Sequence, residues 1–279
     1  MLRRPPEAIL VAHRMDGGRR ELYVEGVRDS AFLGWLVGDD LAFKAAVVPI
    51  DMVEMPDVGE GGNRERLKQF LLQVASAGYD ICGLLDADQG PLTGEEIPSN
   101  AWLTDFRDAE GYVMAPENVS AALRLGCGIV RGSAEPLLNS MLEIARYLAA
   151  VRLASYRLAM RLPVSKSRLS GSLTATPAGM LTLDKTKYLS ALLQSAKVSL
   201  LQLGTLQQAI EVAMTELLLR PRREVVHGKD CIRLITFQFR ALGASNLQDA
   251  GPLLWSSFER ERLSEFPTLQ QVVEFLTSK

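Results

Sequence analysis

The stretch Tyr23-Val24-Glu25-Gly26 decides the fold expected for this chain, together with Leu84-Leu85-Asp86-Ala87-Asp88 further along. In each stretch, an apolar run typical of a buried strand ends at acidic residues. Ligands of parallel sheets gather at the carboxyl ends of the strands. We therefore predict that Glu25 and the Asp86/Asp88 pair lie at strand ends, where their carboxylates can converge on a divalent metal ion. This arrangement suggests phosphoryl-transfer chemistry.

The first half of the chain alternates between strand and helix patterns. Apolar runs predict strands, which are residues 8–12, 20–24, 45–50, 81–85 and 100–104. Helices are expected over 29–37 and 64–77, the second of them capped by Asn63. This order predicts the α/β class, with a mainly parallel sheet that has helices on both faces.

From about residue 135 onward the pattern becomes largely helical. Helices are expected over residues 141–161, 185–197, 205–219, 229–241 and 269–277, with Pro163 ending the first of them. The Ser/Thr/Gly-rich stretch 165–178 is expected to form a loop or a hairpin. We therefore predict two domains, 1–130 with the sheet and the candidate site, and 131–279 as a helical domain.

Composition is typical of a globular protein with a large core, with 279 residues that are 47% hydrophobic and 23% charged. Charge is unevenly distributed: residues 1–130 hold 12 Lys/Arg and 21 Asp/Glu, a net −9, which leaves +7 for residues 131–279. Such asymmetry suits an acidic metal site joined to a basic module that holds phosphates. Solvated helix faces of differing sign explain it equally well.

Basic residues on the long helix are candidate nucleic-acid contacts. At about 100 degrees per residue, Arg146, Arg157 and Arg161 would share one face and could follow a phosphate backbone, with Arg152 on another face. A second basic spot is expected at Arg222 and Arg223. The alternative is that each is an ordinary solvent-facing arginine.

Several other classes of site have little support. The isolated cysteines Cys82, Cys127 and Cys231 indicate core thiols rather than a zinc site, and the two histidines, His13 and His227, are expected at the surface or at helix caps. The glycine-rich loop 59–62 could cradle a phosphate or be a simple turn, because the Gly-Lys-Ser/Thr of a P-loop is missing. No apolar stretch predicts a signal peptide or a membrane span, so a cytoplasmic location is expected.

A family resemblance rests on these same motifs. Val24-Glu25-Gly26 and the Asp-x-Asp of Asp86 and Asp88, with the βα pattern between them, resemble the Toprim domain of topoisomerases, primases and the overcoming-lysogenization-defect nucleases. Further features resemble one bacterial family that has a Toprim-like core and a helical C-terminal part; they are Gly61-Gly62-Asn63, Leu85 to Asp88, Thr104 to Glu110, and His227-Gly228-Lys229-Asp230. Members of that family are encoded beside an ABC-type ATPase in the PARIS anti-phage system.

The resemblance implies roles for the acidic residues. Asp86 and Asp88 would bind Mg2+ or Mn2+, and Glu25 would serve as a metal ligand or as the general acid/base. Asp29 and Glu110 would complete a second metal site. Two further aspartates, Asp105 and Asp108, could be ligands or N-caps of a helix that begins near Glu110.

The function expected from this resemblance is that of a toxic, metal-dependent nuclease effector, held in check by the ABC-type ATPase until infection. Structured RNA such as tRNA is favoured over DNA as the substrate, and a homodimer is expected on release from the partner. One alternative is a DNA-cleaving Toprim nuclease. Another is a catalytically silent binding module that an ATPase partner regulates. Primase-type nucleotidyl transfer lacks a supporting zinc-binding domain.

Overall fold

A computed structural model describes residues 3–41, 45–55, 62–88, 94–128, 134–164 and 169–278. The chain divides into two compact units: Met1–Ala109 together with Glu259–Lys279, and Glu110–Phe258. This division differs in two ways from a boundary at residue 130. Residues 110–130 group with the second unit, and the end of the chain returns to the first unit.

The described residues form both strands and helices. The strands are β1 (Arg20–Val24), β2 (Ala45–Pro49), β3 (Ile81–Leu85), β4 (Ala101–Leu103), β5 (Leu173–Ala175) and β6 (Leu181–Leu183). The helices are α1 (Pro6–Met15), α2 (Val27–Val37), α3 (Gly62–Ala75), α4 (Pro116–Cys127), α5 (Glu135–Arg157), α6 (Lys185–Ser195), α7 (Leu203–Leu218), α8 (Arg222–Val225), α9 (Gly228–Ala241), α10 (Gly251–Ser256) and α11 (Pro267–Thr277).

The first unit is built on a parallel sheet of four strands in the order β2-β1-β3-β4. In this register Val24, at the end of β1, lies beside Pro49 of β2 and Leu84 of β3. The carboxyl ends of the three strands therefore meet at one edge of the sheet. The predicted α/β class, with a parallel sheet flanked by helices and a mainly helical C-terminal part, is confirmed.

Residues 8–12 were predicted to form a strand, and this prediction was wrong because they lie inside α1. A run of five apolar residues has no period that separates a strand from a buried helix. Pro6, at the start of α1, is the signal that points to the helix, since proline favours the first helical turn. Ile9 of this helix is fully buried against the sheet's core.

One face of the sheet packs against α3. The ring of Tyr23 on β1 lies 4.5 Å from that of Phe70, and Leu67 and Leu71 complete the same cluster. Gly83 on β3 allows this close approach, because a Cβ atom there would overlap the Leu71 side chain. The helix is thus held directly beside the strands whose ends carry the acidic motifs.

The other face of β1 and β2 contacts α2 and α11, the helix that returns from the end of the chain. The aromatic rings of Trp102 on β4 and Phe275 on α11 meet edge to face at 5.6 Å. The N-terminus of α11 is held by Asp105, whose carboxylate accepts hydrogen bonds from the amides of Thr268 (2.9 Å) and Leu269 (3.1 Å).

The second unit is organised around α5, against which α7 and α9 pack. An antiparallel hairpin joins β5, which lies in the segment 165–178 expected to be a loop or a hairpin, to β6, which lies just beyond that segment. Asp230 of α9 is buried and forms an ion pair with Arg152 of α5. All three cysteines are free thiols. In the described ranges, no helix is both long and apolar enough to cross a membrane.

Candidate functional site

The two acidic motifs meet at the carboxyl edge of the sheet. Glu25 follows the last residue of β1, and Asp86 follows the last residue of the neighbouring β3. The backbone N–H of Asp86 donates a hydrogen bond to Oε1 of Glu25 at 3.0 Å. The structure therefore brings the Glu25 side chain into direct contact with the backbone of the Asp-x-Asp segment.

Arg64, at the start of α3, binds both motifs. Its Nη1 atom lies 3.4 Å from Oε1 of Glu25 and donates to the backbone oxygen of Asp86. Its Nη2 atom donates to Oε2 of Glu95 at 2.7 Å, and Lys68, one turn along α3, binds Oε1 of Glu95 at 2.8 Å. The guanidinium thus connects β1, β3 and residue 95.

Asn63 performs a different task from the predicted cap. The residue lies inside α3, and its side-chain amide donates to the backbone oxygen of Glu25 at 2.8 Å. Residues 63 and 64 together hold both the main chain and the side chain of Glu25. The glycine-rich loop considered for phosphate binding lies mostly in 56–61, outside the described residues.

The carboxyl of Glu25 has a strongly perturbed acidity. Burial is the largest cause and raises its pKa to about 7, while Arg64 and the amide of Asp86 act in the opposite direction. The negative charges of Asp88 and Asp29 raise the pKa of Glu25 further. The Glu25 carboxyl is therefore harder to ionise than an ordinary glutamate.

The turn after β3 has a fixed backbone. The hydroxyl of Thr104 accepts the N–H of Ala87 at 3.0 Å and donates to the backbone oxygen of Phe106 at 2.6 Å. Asp88 has a φ of +43°, in the left-handed region that aspartate tolerates better than most residues, and its N–H donates to the backbone oxygen of Arg107 at 2.7 Å. An Oδ1 atom of the buried Asp86 accepts the N–H of Ala109 at 3.3 Å.

The remaining acidic candidates have other surroundings. Asp29 accepts the N–H of Gly26 at 2.9 Å and so closes the first turn of α2. Glu110 is buried and belongs to the second unit. Asp105 was considered as an N-cap of a helix near Glu110, but its carboxylate binds amides at the start of the distant α11 instead. Asp108 is fully buried.

The grouping of possible ligand side chains bears on whether the site could hold a metal ion. Within the part of the chain that the structure describes, no three His, Cys, Asp or Glu side chains are grouped so that they could hold a metal ion. Glu25 and Asp86 bring two acidic residues into direct contact. Oε2 of Glu25 accepts no hydrogen bond from any described residue, which leaves that oxygen available to a ligand.

The predicted arginine stripe on α5 does not form. The helix ends at Arg157, so Arg161 lies beyond it, with a φ of +49°. Arg146 is buried, with Nη2 3.5 Å from a carboxylate oxygen of Glu143, and Arg157 makes a two-pronged ion pair with Glu216 at 2.7 and 2.8 Å. The prediction of a shared phosphate-binding face on one helix is therefore wrong, because the helix ends at Arg157 and not at the predicted residue 161.

The histidines also differ from expectation. His13 was expected at the surface or at a cap but is buried, with Nε2 3.4 Å from Oε2 of Glu21. Glu21 is the second residue of β1, near the opposite end of the strand from Glu25, and also pairs with Arg4 and Arg19. Burial raises the pKa of Glu21, but the hydroxyl of Tyr23 and the two arginines outweigh it and lower the pKa. His227 precedes α9 as expected.

Sequence reasoning missed Arg64, Lys68 and Glu95. The four-residue spacing of Arg64 and Lys68 places both on one face of a helix, which was the available signal. Nothing local indicated that residue 95 would be their partner. As for relatives of known function, no protein-family model matches this chain, and no curated protein is significantly similar to it.

Proposed function

We propose that this chain is a divalent-metal-dependent nuclease with a Toprim-like site formed by Glu25, Asp86 and Asp88. The single observation that carries the proposal is the hydrogen bond from the Asp86 amide to Oε1 of Glu25. This contact brings the glutamate motif and the Asp-x-Asp motif together at the carboxyl ends of two neighbouring parallel strands. It is the place where α/β sheets bind their ligands.

The residues at this edge fit Mg2+ or Mn2+. Mg2+ commonly keeps several water ligands and takes only one or two carboxylates from the protein, with substrate phosphates as further ligands. Glu25 offers Oε2, and the negative charges of Asp88 and Asp29 lie close enough to raise its pKa, so they would also attract a cation. A bound ion would neutralise phosphate charge and lower the pKa of a bound water.

Within this proposal the residues have separate tasks. Asp86, Asp88 or both would bind the ion, and Glu25 would be the general acid/base or, together with one of the two aspartates, a metal ligand. Asp29 acts through its charge, since its carboxylate closes the first turn of α2. A second metal site that includes Glu110 has no support from the described contacts, so one ion is the simpler proposal.

The biological role follows from the resemblance described above. We propose a toxic effector of an anti-phage system of the PARIS type, controlled by an ABC-type ATPase, with structured RNA such as tRNA as its substrate. Order and context of the motifs support this assignment. DNA is the alternative substrate, because phosphate contacts position either nucleic acid without identifying it.

A second candidate function is a binding module without catalysis. The ion pair of Arg64 with Glu25 favours this candidate, because a guanidinium already serves that carboxylate. In this case the acidic edge would be a docking surface for a regulatory partner such as the ATPase. The two functions differ in whether the protein cleaves nucleic acid and whether it needs a metal ion.

The deciding experiment compares the purified protein with two variants, Glu25→Gln and the exposed control Glu54→Gln. Each is incubated with total tRNA and with plasmid DNA in Mg2+ or Mn2+, and cleaved ends are mapped by sequencing. Cleavage that the control retains and Glu25→Gln loses supports the nuclease and identifies its substrate class. Cleavage that survives in Glu25→Gln would refute the proposed site. Absence of cleavage by the purified protein, which carries no ATPase partner, would favour the binding module.

A further inference from the structure

Arg64 contacts both acidic motifs and, in addition, Glu95. Its two terminal nitrogens contact different groups. Nη1 donates to Glu25 and to the backbone oxygen of Asp86, and Nη2 donates to Glu95. We propose that Arg64 is a positioning residue that holds Glu25 and the end of β3 in the geometry for catalysis. This inference rests on the proposed nuclease function and assigns the residue that orders its site.

The contacts argue against Arg64 as a substrate-binding residue. Its side chain is only 15% exposed, and both terminal nitrogens are already bound to protein oxygens. A phosphate could reach the guanidinium only if one of these contacts were broken. Arg64 therefore acts through Glu25 rather than on the substrate.

Glu95 fixes the position of Arg64. Its two carboxylate oxygens are held separately, Oε2 by Arg64 at 2.7 Å and Oε1 by Lys68 at 2.8 Å. Partial burial raises the pKa of Glu95, but the positive charges of Arg64 and Lys68 outweigh it and lower the pKa. Because Arg64 and Lys68 are one turn apart on α3, the helix provides a rigid support for the whole chain of contacts.

The role requires a guanidinium rather than any positive charge. A planar fork can bind two separate groups with fixed geometry, whereas the ammonium of lysine is a single compact charge. Lysine at position 64 could reach Glu25 or Glu95 but could not bridge them in the same way. This difference separates the geometric contribution of Arg64 from its electrostatic contribution.

The two carboxylate oxygens of Glu25 have different surroundings. Oε1 is held by Arg64 and by the Asp86 amide, while Oε2 accepts no hydrogen bond from the described residues. Removing Arg64 deletes a cation beside the carboxylates, which should strengthen the binding of another cation. The same change releases Glu25, which should slow cleavage. Metal affinity and rate should therefore change in opposite directions.

The test uses the full chain and three variants, Arg64→Gln, Arg64→Lys and Glu95→Gln. The matched control is Arg66→Gln, since Arg66 lies on the same helix and binds Asp51 and the backbone oxygen of Val53 rather than Glu25, Asp86 or Glu95. Mn2+ binding is measured by electron paramagnetic resonance without substrate. Steady-state cleavage of tRNA gives kcat and KM, and thermal unfolding checks that each variant is folded.

We expect Arg64→Gln to bind Mn2+ about tenfold more tightly, the size of a typical charge-partner effect. Its kcat should fall about 100-fold, as for a misplaced catalytic group, with KM nearly unchanged. Arg64→Lys should keep the parent's Mn2+ affinity but share most of the loss in kcat. Glu95→Gln should show a smaller loss, and Arg66→Gln should match the parent.

Two results would overturn the inference. If Arg64→Lys cleaved at the parent's rate, the bridging geometry would be irrelevant. If Arg64→Gln raised KM and left kcat unchanged, Arg64 would be a substrate contact. Failure of the parent itself to cleave RNA and to bind Mn2+ would refute the proposed function and the inference together, and is thereby distinguishable from both results.

Discussion

Replacing Glu25 with glutamine should stabilise the protein at neutral and alkaline pH. The carboxyl of Glu25 has a pKa of about 7 in the fold, against an ordinary value of 4.5, chiefly because it is buried. A carboxyl whose folded pKa lies above its unfolded pKa destabilises the fold once it ionises. The fold bears this cost at the candidate site, and an uncharged amide of the same shape should remove it.

The magnitude follows from the two pKa values. They differ by about 2.5, and each pKa unit corresponds to about 1.36 kcal/mol, so the cost reaches about 3 kcal/mol. The side chain is only 16% exposed, so solvent screens little of this effect. The cost is absent below about pH 4.5, grows between pH 4.5 and 7, and is complete above pH 7.

Urea unfolding of the parent and Glu25→Gln, measured from pH 5 to pH 8.5 with EDTA present, tests this reasoning. The variant should gain stability over the parent as pH rises, by up to about 3 kcal/mol. Comparison with the parent at each pH cancels the titration of other groups, and the exposed Glu54→Gln should show no such trend. A difference between variant and parent that is flat with pH, or a variant less stable at pH 8.5, would refute the buried, electrostatically crowded carboxylate described here.

Three substitutions should weaken the fold, each measured as a change in the free energy of unfolding. Asp105→Ala removes the carboxylate that binds two amides of α11 and should cost about 1 to 2 kcal/mol, as for a lost helix cap. Gly83→Ala forces a methyl group into Leu71 and should cost about 1 to 3 kcal/mol. Asp230→Ala leaves the partly buried Arg152 without its carboxylate and should cost about 3 kcal/mol or more.

Each of these has a discriminating control. Asp105→Asn retains hydrogen-bond acceptance without charge and should recover part of the loss. A smaller side chain at Leu71 should rescue Gly83→Ala, and failure of that rescue would show that the clash is not the cause. Asp230→Ala as stable as the parent would mean that the ion pair contributes little to the second unit.

Much of the sheet was predictable because its strands are short, apolar and separated by helical patterns. The apolar run that ends at Glu25 and the one that ends at Asp86 each proved to be a central strand. Parallel neighbours then had to bring their carboxyl ends to one edge. The exception was residues 8–12, where a short apolar run fitted a buried helix as well as a strand.

The residues that hold the candidate site in place were not predictable in the same way. Glu95 lies in an irregular segment 31 residues from Arg64, and no local pattern links the two. Asp105 likewise accepts hydrogen bonds from amides that lie 163 and 164 residues further along the chain, so only the folded structure shows the contact. Distant pairs of this kind depend on tertiary packing, which periodicity does not encode.

The return of α11 to the first unit sets an order on synthesis. A ribosome must translate the whole of Glu110–Phe258 before it produces the helix that contacts β1 and β2. A nascent chain therefore carries Glu25 and Asp86 long before that face of their sheet is covered. Chains that stop early lack the helix altogether. For a protein proposed to be toxic, this order means that the unit with the candidate site is completed only after the second unit has been translated.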